Sequence, residues 1–407
     1  MREVVSIGLR NLARRRSRTA LTLGMIFFGT LLIVFGVGLG EGTYADLIEL
    51  ATRSWAGHFQ ITADDYHDKQ SLFTTIDDYR PLLSKLAENK EIDGVAPRVE
   101  SAGLLALGNR TTGVFATGVD PVLENKVTTV SRTLLEGEWL QSGGTAGELP
   151  IILGSGVAKR LRAKVGDEVS FVGQAADGSI AADLFNVIGI MESGMLELDA
   201  TAVLIRLDDA QEMLSLDGRV HKIVGVLKSI SLADKLGGLL KLPEDLHYRG
   251  WKEVMPQLAQ TIKSDRSGLW IFNLILLAVV ALGVTNTMSM AVIERSRELG
   301  VMSALGTTPA RLVGIVLGEA AWLSLIGVGT GLAAGIAVNL LTLKWEIPVA
   351  SEPISYGGIE IASMHATNTV EAVLYWPAII LICALIASLP PAIRTARMRP
   401  ADAIREG

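Results

Sequence analysis

The chain has 407 residues, 49% of them apolar, and its mean hydropathy of +0.38 is high for a water-soluble protein. The single cysteine, Cys383, excludes a disulfide framework or a cysteine-based metal site within one chain, and the net charge of −6 argues against nucleic acid as a partner. Charged residues are missing from four windows, 20–40, 269–293, 320–343 and 372–393. Each window is long enough to cross about 30 Å of hydrocarbon as a helix, so we predict an integral membrane protein.

The distribution of basic residues predicts the topology. Six arginines precede the first window, four lie in 394–407 and three lie in 294–311, whereas Lys344 is the one basic residue of 344–371. The positive-inside rule then places both termini and 294–311 in the cytoplasm. The same asymmetry argues against the alternative of four buried helices in a large soluble protein. The first window has no polar small-residue cleavage region, so we interpret it as a retained signal anchor.

We therefore predict an α-helical membrane protein with four transmembrane helices and a large α/β extracytoplasmic domain inserted between helices 1 and 2. In chain order, the predicted parts are a cytoplasmic amphipathic helix (1–19), a first transmembrane helix (20–43), an extracytoplasmic stalk and α/β domain (44–267), a second transmembrane helix (268–293), a cytoplasmic segment (294–311), a third transmembrane helix (312–343), a short outside loop (344–371), a fourth transmembrane helix (372–393) and a cytoplasmic tail (394–407).

The outside domain shows mixed patterns. Residues 58–63, 185–191 and 224–228 have the β-branched and alternating character of strands, and 78–89 and 231–240 are amphipathic. Residues 151–172 predict a strand, a short helix, a turn at Gly166 and Asp167, and a second strand, with 173–183 as an exposed hairpin tip. These patterns predict an α/β domain.

No catalytic or metal-binding pattern occurs in this domain. The chain contains neither G-x-S-x-G nor H-E-x-x-H, and its five histidines lack metal-ligand spacing. His58 is near Asp64, Asp65, His67 and Asp68, a group that imitates a metal cluster, but a solvated loop is the favoured interpretation. We predict no catalytic residue and no metal site, and a domain that binds or transmits motion.

Residues 294–311, ERSRELGVMSALGTTPAR, predict a short amphipathic helix. Leu299, Val301, Met302 and Leu305 would form its apolar stripe, and Gly306 would end it before Pro309. One interpretation is a loop helix lying at the lipid headgroups, and the other is a docking helix. Nearby, Glu319 lies inside the third helix, where we expect a packing partner such as an arginine rather than proton coupling.

The same segment resembles the signature of FtsX-like permeases of the MacB and LolC/LolE type. Residues 8–27, 151–172 and 390–406 are also similar to segments of that family, so the resemblance covers nearly the whole chain. The signature positions are Glu294, Arg295, Arg297, Glu298, Gly300, Ala304, Leu305 and Gly306.

The resemblance implies a subunit of a type VII ABC transporter in the bacterial inner membrane. Two such permeases, identical or paralogous, would bind two copies of an ABC ATPase through 294–306 as coupling helix, and the outside domain would be a MacB-like periplasmic core domain. The chain has no G-x-x-x-x-G-K-[ST] and no Gly-Lys dipeptide. We therefore expect a permease that is not itself an enzyme and holds no cofactor, with ATP and Mg bound by the partner ATPase. In this respect the chain resembles the LolC/LolE permeases, which use a separate ATPase, rather than MacB, whose ATPase is fused in the same chain.

The cargo stays open at this stage. Lol-like members imply extraction of lipoproteins or lipids from the outer leaflet and transfer to a periplasmic chaperone. MacB-like members imply efflux of drugs, peptides or other amphiphiles with an adaptor and an outer-membrane channel, and a third alternative is a non-transporting signalling lever. Four bulky residues of the first helix suit acyl chains in a cavity, and bulk lipid equally well: Phe27, Phe28, Leu31 and Phe35.

Two further patterns concern helix packing. Gly314 and Gly318, and then Gly327, Gly331 and Gly335, repeat at four-residue spacing on the third helix, which predicts close packing within the chain. The second helix carries polar residues that could hydrogen-bond across helices or face the cavity of a dimer: Asn273, Thr285, Asn286 and Thr287.

Overall fold

A computed structural model describes residues 16–63, 66–142, 149–348, 354–356, 359–361 and 363–397. Most of the expected N-terminal amphipathic helix, most of the C-terminal tail, and Asp64 and Asp65 lie outside the described residues. The chain divides into two compact units, one made of Met1–Ala45, Ile262–Glu352 and Ala362–Gly407 and the other of Asp46–Thr261 and Pro353–Ile361. We call them the membrane unit and the outside unit.

The structure contains helices of very unequal length. The α-helices are α1 (Arg16–Ala51), α2 (Tyr66–Lys69), α3 (Tyr79–Ala87), α4 (Pro121–Val127), α5 (Ser155–Leu161), α6 (Leu196–Thr201), α7 (Leu207–Met213), α8 (Ala233–Leu239), α9 (Trp251–Val254), α10 (Pro256–Glu294), α11 (Ser296–Ala304), α12 (Pro309–Lys344) and α13 (Trp376–Ala396). A π-helical turn, Thr52–Ala56, follows α1, and another, Glu371–Tyr375, precedes α13.

The strands are β1 (Phe59–Ala63), β2 (Ile76–Asp77), β3 (Ile92–Leu107), β4 (Arg110–Val119), β5 (Leu134–Gly137), β6 (Pro150–Gly154), β7 (Glu168–Gln174), β8 (Ile180–Met191), β9 (Ala202–Arg206), β10 (Arg219–Val220), β11 (Lys222–Leu227), β12 (Leu246–Gly250), β13 (Ile347–Pro348), β14 (Ile354–Tyr356), β15 (Ile359–Ile361) and β16 (Ser363–Met364). The predicted strands at 58–63 and 224–228 and the helices at 78–89 and 231–240 are therefore confirmed within one or two residues, except that 230–232 is a 3₁₀ turn before α8. The strand predicted at 185–191 is also present, but β8 begins five residues earlier, at Ile180.

Four helices among the described residues are long and apolar enough to cross a membrane: Thr19–Ala56, Pro256–Glu294, Pro309–Lys344 and Glu371–Ala396. Their buried side chains form one apolar core, to which Ile26, Val280, Leu323, Trp376 and Ile380 contribute. Four transmembrane helices with a large domain between the first and second were predicted, and this architecture is confirmed. α10 begins twelve residues before the expected start of the second transmembrane helix, because it includes the predicted stalk.

Three aromatic side chains meet at one end of the membrane unit. The ring centroid of Trp270 on α10 lies 4.8 Å from that of Trp376 at the start of α13, and 6.4 Å from that of Tyr375. Tryptophan and tyrosine concentrate at the boundary between hydrocarbon and headgroups. The position of this aromatic cluster is typical of one edge of the hydrocarbon layer.

The outside unit contains a ten-stranded sheet that closes on itself. β3 pairs with β4 and β7, β4 with β9, β9 with β6, β6 with β8, and β8 with β7, so six strands form a closed circuit. Leu105, Val169, Phe171 and Phe185 from these strands are buried. Gly103 on β3 is needed here, because a Cβ would stand 2.3 Å from the Phe171 ring. Closure removes strand edges that would otherwise pair with other chains.

The first half of β3 belongs to a second, antiparallel part of the sheet in the order β12, β1, β11, β3. Ala96, Val224 and Val226 form a small apolar core there with Val127 of α4. β3 thus connects the two parts, since residues 92–98 pair with β11 and residues 98–107 pair with β4. The hairpin of β7 and β8 turns at 175–179, inside the predicted tip.

Candidate functional site

The segment between α10 and α12 forms a separate short helix, as its sequence predicts. The helical path breaks at Arg295, where φ is −107° and ψ is 12°, and α11 then runs from Ser296 to Ala304. Gly306 follows with φ of +91°, a left-handed conformation that favours glycine after a helix. Pro309 then occupies the first turn of α12, where its missing N–H is tolerated.

The apolar residues of α11 do not share one face. Leu299 is buried in the core of the membrane unit and Met302 packs against that core, but Val301 is 43% and Leu305 82% exposed. The single apolar stripe expected from the sequence is therefore wrong. The helix is therefore anchored through Leu299 and Met302, and it leaves Val301 and Leu305 exposed.

The signature residues are accordingly divided between the core and the surface. Gly300 is buried and Arg295 is half-buried. The remaining six signature residues are exposed: Glu294, Arg297, Glu298, Ala304, Leu305 and Gly306. Val301, which lies among them, is also exposed. We call Arg297, Val301, Ala304 and Leu305 the α11 docking face. This face combines exposed apolar side chains with an arginine, a residue type that is enriched at protein interfaces.

Arg295 connects α11 to the third membrane helix. Its Nη1 donates to Glu319 Oε2 at 2.8 Å and its Nε donates to Glu298 Oε2 at 3.2 Å. The Arg295 and Glu319 side chains are 19% and 15% exposed, whereas Glu298 is 59% exposed. The arginine partner expected for Glu319 is confirmed. The pair fixes the start of α11 against α12.

An apolar groove of about 400 Å³ lies between α1 and α10. Of the four residues suggested for a cavity, Phe28 lines it, whereas Phe27, Leu31 and Phe35 are not among its lining residues. Its walls carry no charged or hydrogen-bonding side chain: Leu21, Gly24, Met25, Phe28, Gly29, Leu32, Leu276, Val279 and Val280.

The neighbouring face of α1 packs against the glycines of α12. A Cβ at Gly331 would stand 2.6 Å from the carbonyl oxygen of Phe27 and 2.8 Å from Cβ of Thr30. A Cβ at Gly327 would likewise stand 2.8 Å from the Ile26 side chain, and one at Gly335 would stand 2.8 Å from the Val34 side chain. Packing of Gly327, Gly331 and Gly335 within the chain is therefore confirmed, whereas nothing lies within 4 Å of the Cβ position of Gly314.

The outside unit holds two histidines in its interior. His58 is 2% exposed; its Nδ1 accepts the N–H of Leu227 at 3.0 Å, and its Nε2 lies 3.3 Å from Glu49 Oε2. The solvated loop expected around His58 is therefore wrong, because His58 directly precedes β1 and is buried. Burial lowers the pKa of His58, although Glu49 opposes the shift. Among the described residues, no group of three or more His, Cys, Asp or Glu could hold a metal ion.

A buried ionic pair in the outside unit has no signal in the sequence. Arg98 on β3 is fully buried and donates to both oxygens of Glu124 on α4, through Nη2 at 2.6 Å and Nε at 3.1 Å. The guanidinium lies 4.2 Å from the ring centroid of Trp55, in the π-helical turn after α1. Asp120 caps α4 by accepting from the N–H groups of Val122 and Leu123.

A second buried pair lies next to it. Lys222 Nζ is 2.5 Å from Glu100 Oε1, and the Tyr66 hydroxyl donates to Glu100 Oε2 at 2.9 Å. Burial alone would raise the pKa of Glu100, but the Lys222 ammonium and these hydrogen bonds outweigh it and hold that pKa below its ordinary value. The carboxylate is therefore ionised and structural.

Two family models match the chain. The FtsX-like permease C-terminal model matches residues 270–400, and the MacB-like periplasmic core domain model matches residues 19–238, more than half of the chain. The first match contains α11 and Glu319. The second contains the closed circuit of strands.

Curated relatives share the same arrangement at low identity. The chain is 23% identical to the lipoprotein-releasing system transmembrane protein LolC of Xylella fastidiosa, over 98% of each chain. It is 25% identical to LolE of Haemophilus influenzae over 81% of each chain. It is 24% identical to the macrolide export ATP-binding/permease protein MacB of Nitrobacter winogradskyi over 96% of this chain and 58% of that one. The chain belongs to the ABC transporter permeases that combine an FtsX-like membrane region with a MacB-like periplasmic core domain, the family of LolC and LolE.

Proposed function

We propose that the chain is the permease of an ABC transporter whose ATPase is a separate chain that binds the α11 docking face. The observation that supports this most directly is the exposure of Val301 and Leu305 beside Arg297, on a helix anchored through Leu299. Exposed apolar side chains are stabilised when a partner covers them. ATP and Mg would bind to that ATPase, because the chain contains no G-x-x-x-x-G-K-[ST].

The proposed orientation follows the arginines. The segments 1–19, 294–311 and 394–407 together carry 13 Lys and Arg against five Asp and Glu, so we place them and both termini in the cytoplasm. The outside unit would then face the periplasm from a bacterial inner membrane. Labelling of single cysteines introduced at exposed Leu239 and Leu305 tests this, since a membrane-impermeant maleimide on intact cells whose outer membrane has been permeabilised should reach the first and not the second.

The proposed mechanism is transmission of movement along α10. α10 is one helix of 39 residues, about 58 Å long, and it ends at the residue before the Arg295 break. Closure of the two ATPases would move α11, and the ion pair between Arg295 and Glu319 would make α12 follow. A stiff helix transmits such a displacement as a rigid-body movement to its other end.

The favoured cargo is a lipoprotein or a lipid of the outer leaflet. The groove between α1 and α10 has only apolar side chains and glycines in its walls, which suits acyl chains. LolC and LolE, the relatives that match this chain over most of their own length, bear the description lipoprotein-releasing. A periplasmic chaperone would accept such a cargo.

A second candidate is export of amphiphiles with a periplasmic adaptor, as in MacB. The alignment with the MacB relative covers 96% of this chain, which supports this candidate. The remaining 42% of the MacB chain has no counterpart in the alignment. This alternative keeps the same coupling by α11 and changes the partner of the outside unit.

Purification of the tagged chain in nanodiscs under ATP-trapping conditions distinguishes these functions. Mass spectrometry of the co-purifying chains should find an ABC ATPase together with a lipoprotein. Recovery of an ATPase together with a periplasmic adaptor would contradict lipoprotein release and support export. A sensor kinase or wall hydrolase would indicate signalling, and the absence of any ATPase would contradict coupling through α11.

A further inference from the structure

Two consecutive prolines lie in the interior of α13. They are Pro390 and Pro391, and the helix continues beyond them to Ala396. Proline has no N–H, so inside an α-helix it leaves the carbonyl oxygen four residues earlier without its donor, and its ring clashes with that carbonyl. The carbonyls affected here are those of Ile386 and Ala387. α13 is therefore weakened at this point and open to a donor from outside the helix.

These carbonyls lie where water cannot replace the missing donors. Ile386 and Ala387 belong to the charge-free window 372–393. Hydrocarbon offers no hydrogen bond to a free carbonyl, so proline is tolerated in a membrane helix when a neighbouring helix or a side chain satisfies the freed group. We therefore expect the fold to supply a donor at this point.

Thr285 of α10 is such a donor. Its hydroxyl donates to the carbonyl oxygen of Ala387 at 2.8 Å. A threonine inside a helix often donates to the carbonyl four residues earlier in its own helix, as Thr287 does to Gly283 at 2.8 Å. Thr285 instead bonds across helices, which is one of the two possibilities that the sequence leaves open for the polar residues of the second membrane helix.

The contact joins corresponding levels of α10 and α13. Thr285 lies nine residues before the last residue of α10, and Ala387 lies nine residues before the last residue of α13, about 14 Å in each case. The two helices also meet at Trp270 and Trp376, fifteen residues earlier on α10. Two contacts about 22 Å apart therefore hold α13 along α10, and the second is at the point where the prolines weaken α13.

We propose that Thr285 is a positioning residue, which holds the proline-containing end of α13 to α10 so that the ends of the two helices move together when α10 is displaced. The Thr285 hydroxyl takes the place of the N–H that Pro391 lacks. This role rests on the transmission of movement along α10 in the proposed function. Without the hydrogen bond, α13 would bend independently at Pro391, and its last turns would not follow α10.

Four substitutions separate this role from simple packing. Thr285→Val removes the hydroxyl from a side chain of nearly the same shape, and Thr285→Ser keeps the hydroxyl. Pro391→Ala restores an N–H that can donate to the Ala387 carbonyl, so the Thr285 hydroxyl is no longer needed there. Thr287→Val is the matched control, because the Thr287 hydroxyl bonds within α10.

The first test measures the distance between spin labels at Ile293→Cys and Ile393→Cys, near the ends of α10 and α13. Both isoleucines are exposed, and Cys383 is first replaced by alanine. The complex with the ATPase is measured in nanodiscs before and after trapping with ATP and vanadate, and singly labelled chains identify any distance between two copies. Trapping should change the distance by less than about 2 Å in the unsubstituted chain and by about 5 Å or more in Thr285→Val, the size of a one-turn shift.

Thr285→Ser, Thr287→Val and the combination of Thr285→Val with Pro391→Ala should each behave as the unsubstituted chain does. An unchanged distance in Thr285→Val would overturn the proposal. A change that Thr287→Val reproduces, or that Pro391→Ala does not reverse, would also overturn it, because the unpaired Ala387 carbonyl would then not be the cause.

Thermal unfolding in detergent tests the hydrogen bond without the ATPase. Thr285→Val should lower the unfolding temperature by about 1–4 °C, and by less than about 1 °C when Pro391→Ala is also present. Equal shifts in both backgrounds would overturn the pairing of Thr285 with the proline site. Failure of any ATPase to co-purify with the unsubstituted chain would contradict the proposed function, and with it the role of Thr285 in coupling, while the temperature shifts would still report the hydrogen bond.

Discussion

Arg295 and Glu319 are 24 residues apart in the chain, and their side chains form an ion pair with an Nη1 to Oε2 distance of 2.8 Å. The pair joins the break before α11 to the third membrane helix. Because both side chains are largely covered, removing one leaves a charge without its partner in a poorly solvated place.

Replacing the Glu319 carboxylate should therefore loosen α11. We expect Glu319→Gln to destabilise the chain by about 1.5–3 kcal/mol, the range for a hydrogen bond to a charged group, and to lower the ATPase stimulation by cargo while the ATPase stays bound. Thermal unfolding in detergent and the turnover of the purified complex measure the two effects. Glu298→Gln, at the more exposed partner of Arg295, is the matched control, and an equal effect of both variants would contradict a special role for Glu319.

Close packing of α12 on α1 predicts a strong glycine effect. Gly331→Val would place side-chain atoms against the Phe27 carbonyl and Thr30, so the helices must separate, at a cost of about 1–3 kcal/mol. Gly329→Val is the control on the same helix, because nothing lies within 4 Å of its Cβ position. A lower unfolding temperature of the Gly331 variant alone is expected, and equal unfolding temperatures would argue against this contact.

The outside unit should lose stability in mild acid. His221 Nδ1 accepts the N–H of Glu100 at 2.8 Å and its Nε2 donates to the Leu72 carbonyl at 3.1 Å, so the ring is held neutral. Burial lowers its pKa, against opposing contributions from Leu72 and Glu100, while Lys222 and Arg219 lower it further. The unfolded chain, with an ordinary histidine pKa near 6.5, then binds more protons, and stability falls as pH drops below about 6.5.

Fluorescence melts of the full chain between pH 7.5 and 5 measure this dependence. The unfolding temperature should fall more steeply for the unsubstituted protein than for His221→Asn, which removes the titrating ring and is less stable at every pH. Parallel curves for the two proteins would show that other groups cause the acid sensitivity.

The buried pair of Arg98 and Glu124 predicts strong non-additivity. Glu124→Leu leaves the Arg98 charge buried and should cost about 3–5 kcal/mol, whereas Arg98→Met together with Glu124→Leu should cost less than the single change. Denaturant unfolding of the unsubstituted protein, the two single variants Glu124→Leu and Arg98→Met, and the double variant gives the coupling energy between the two side chains. Arg53→Met, which breaks a pair with half-exposed Asp93 and Glu49, should cost about 0–1 kcal/mol, and additive effects at Arg98 and Glu124 would contradict the buried pair.

The membrane helices could be predicted because a span is a local property of about 20 residues. The docking segment was predictable for a similar reason, since Gly306 and Pro309 end it within a few residues. It was not predictable that Leu299 would be buried while Val301 and Leu305 are exposed, because residues of distant helices bury Leu299.

The interior of the outside unit was harder to predict. Arg98, Glu100 and Lys222 look like solvated charges in the sequence, and only the pairing of β3 with β11 brings them together. His58 was misplaced for the same reason. The closed circuit depends on the pairing of β3 with β7, about 68 residues apart, which no local pattern encodes.

Binding of the ATPase to the α11 docking face is the central claim, and Leu305→Glu tests it most directly. The matched control is Leu239→Glu, on an equally exposed leucine of the outside unit, 76% exposed against 82%. Quantitative mass spectrometry of the tagged chains should show the co-purifying ATPase reduced about ten-fold or more for Leu305→Glu and unchanged for Leu239→Glu. Equal recovery of the ATPase with both variants would contradict docking on α11.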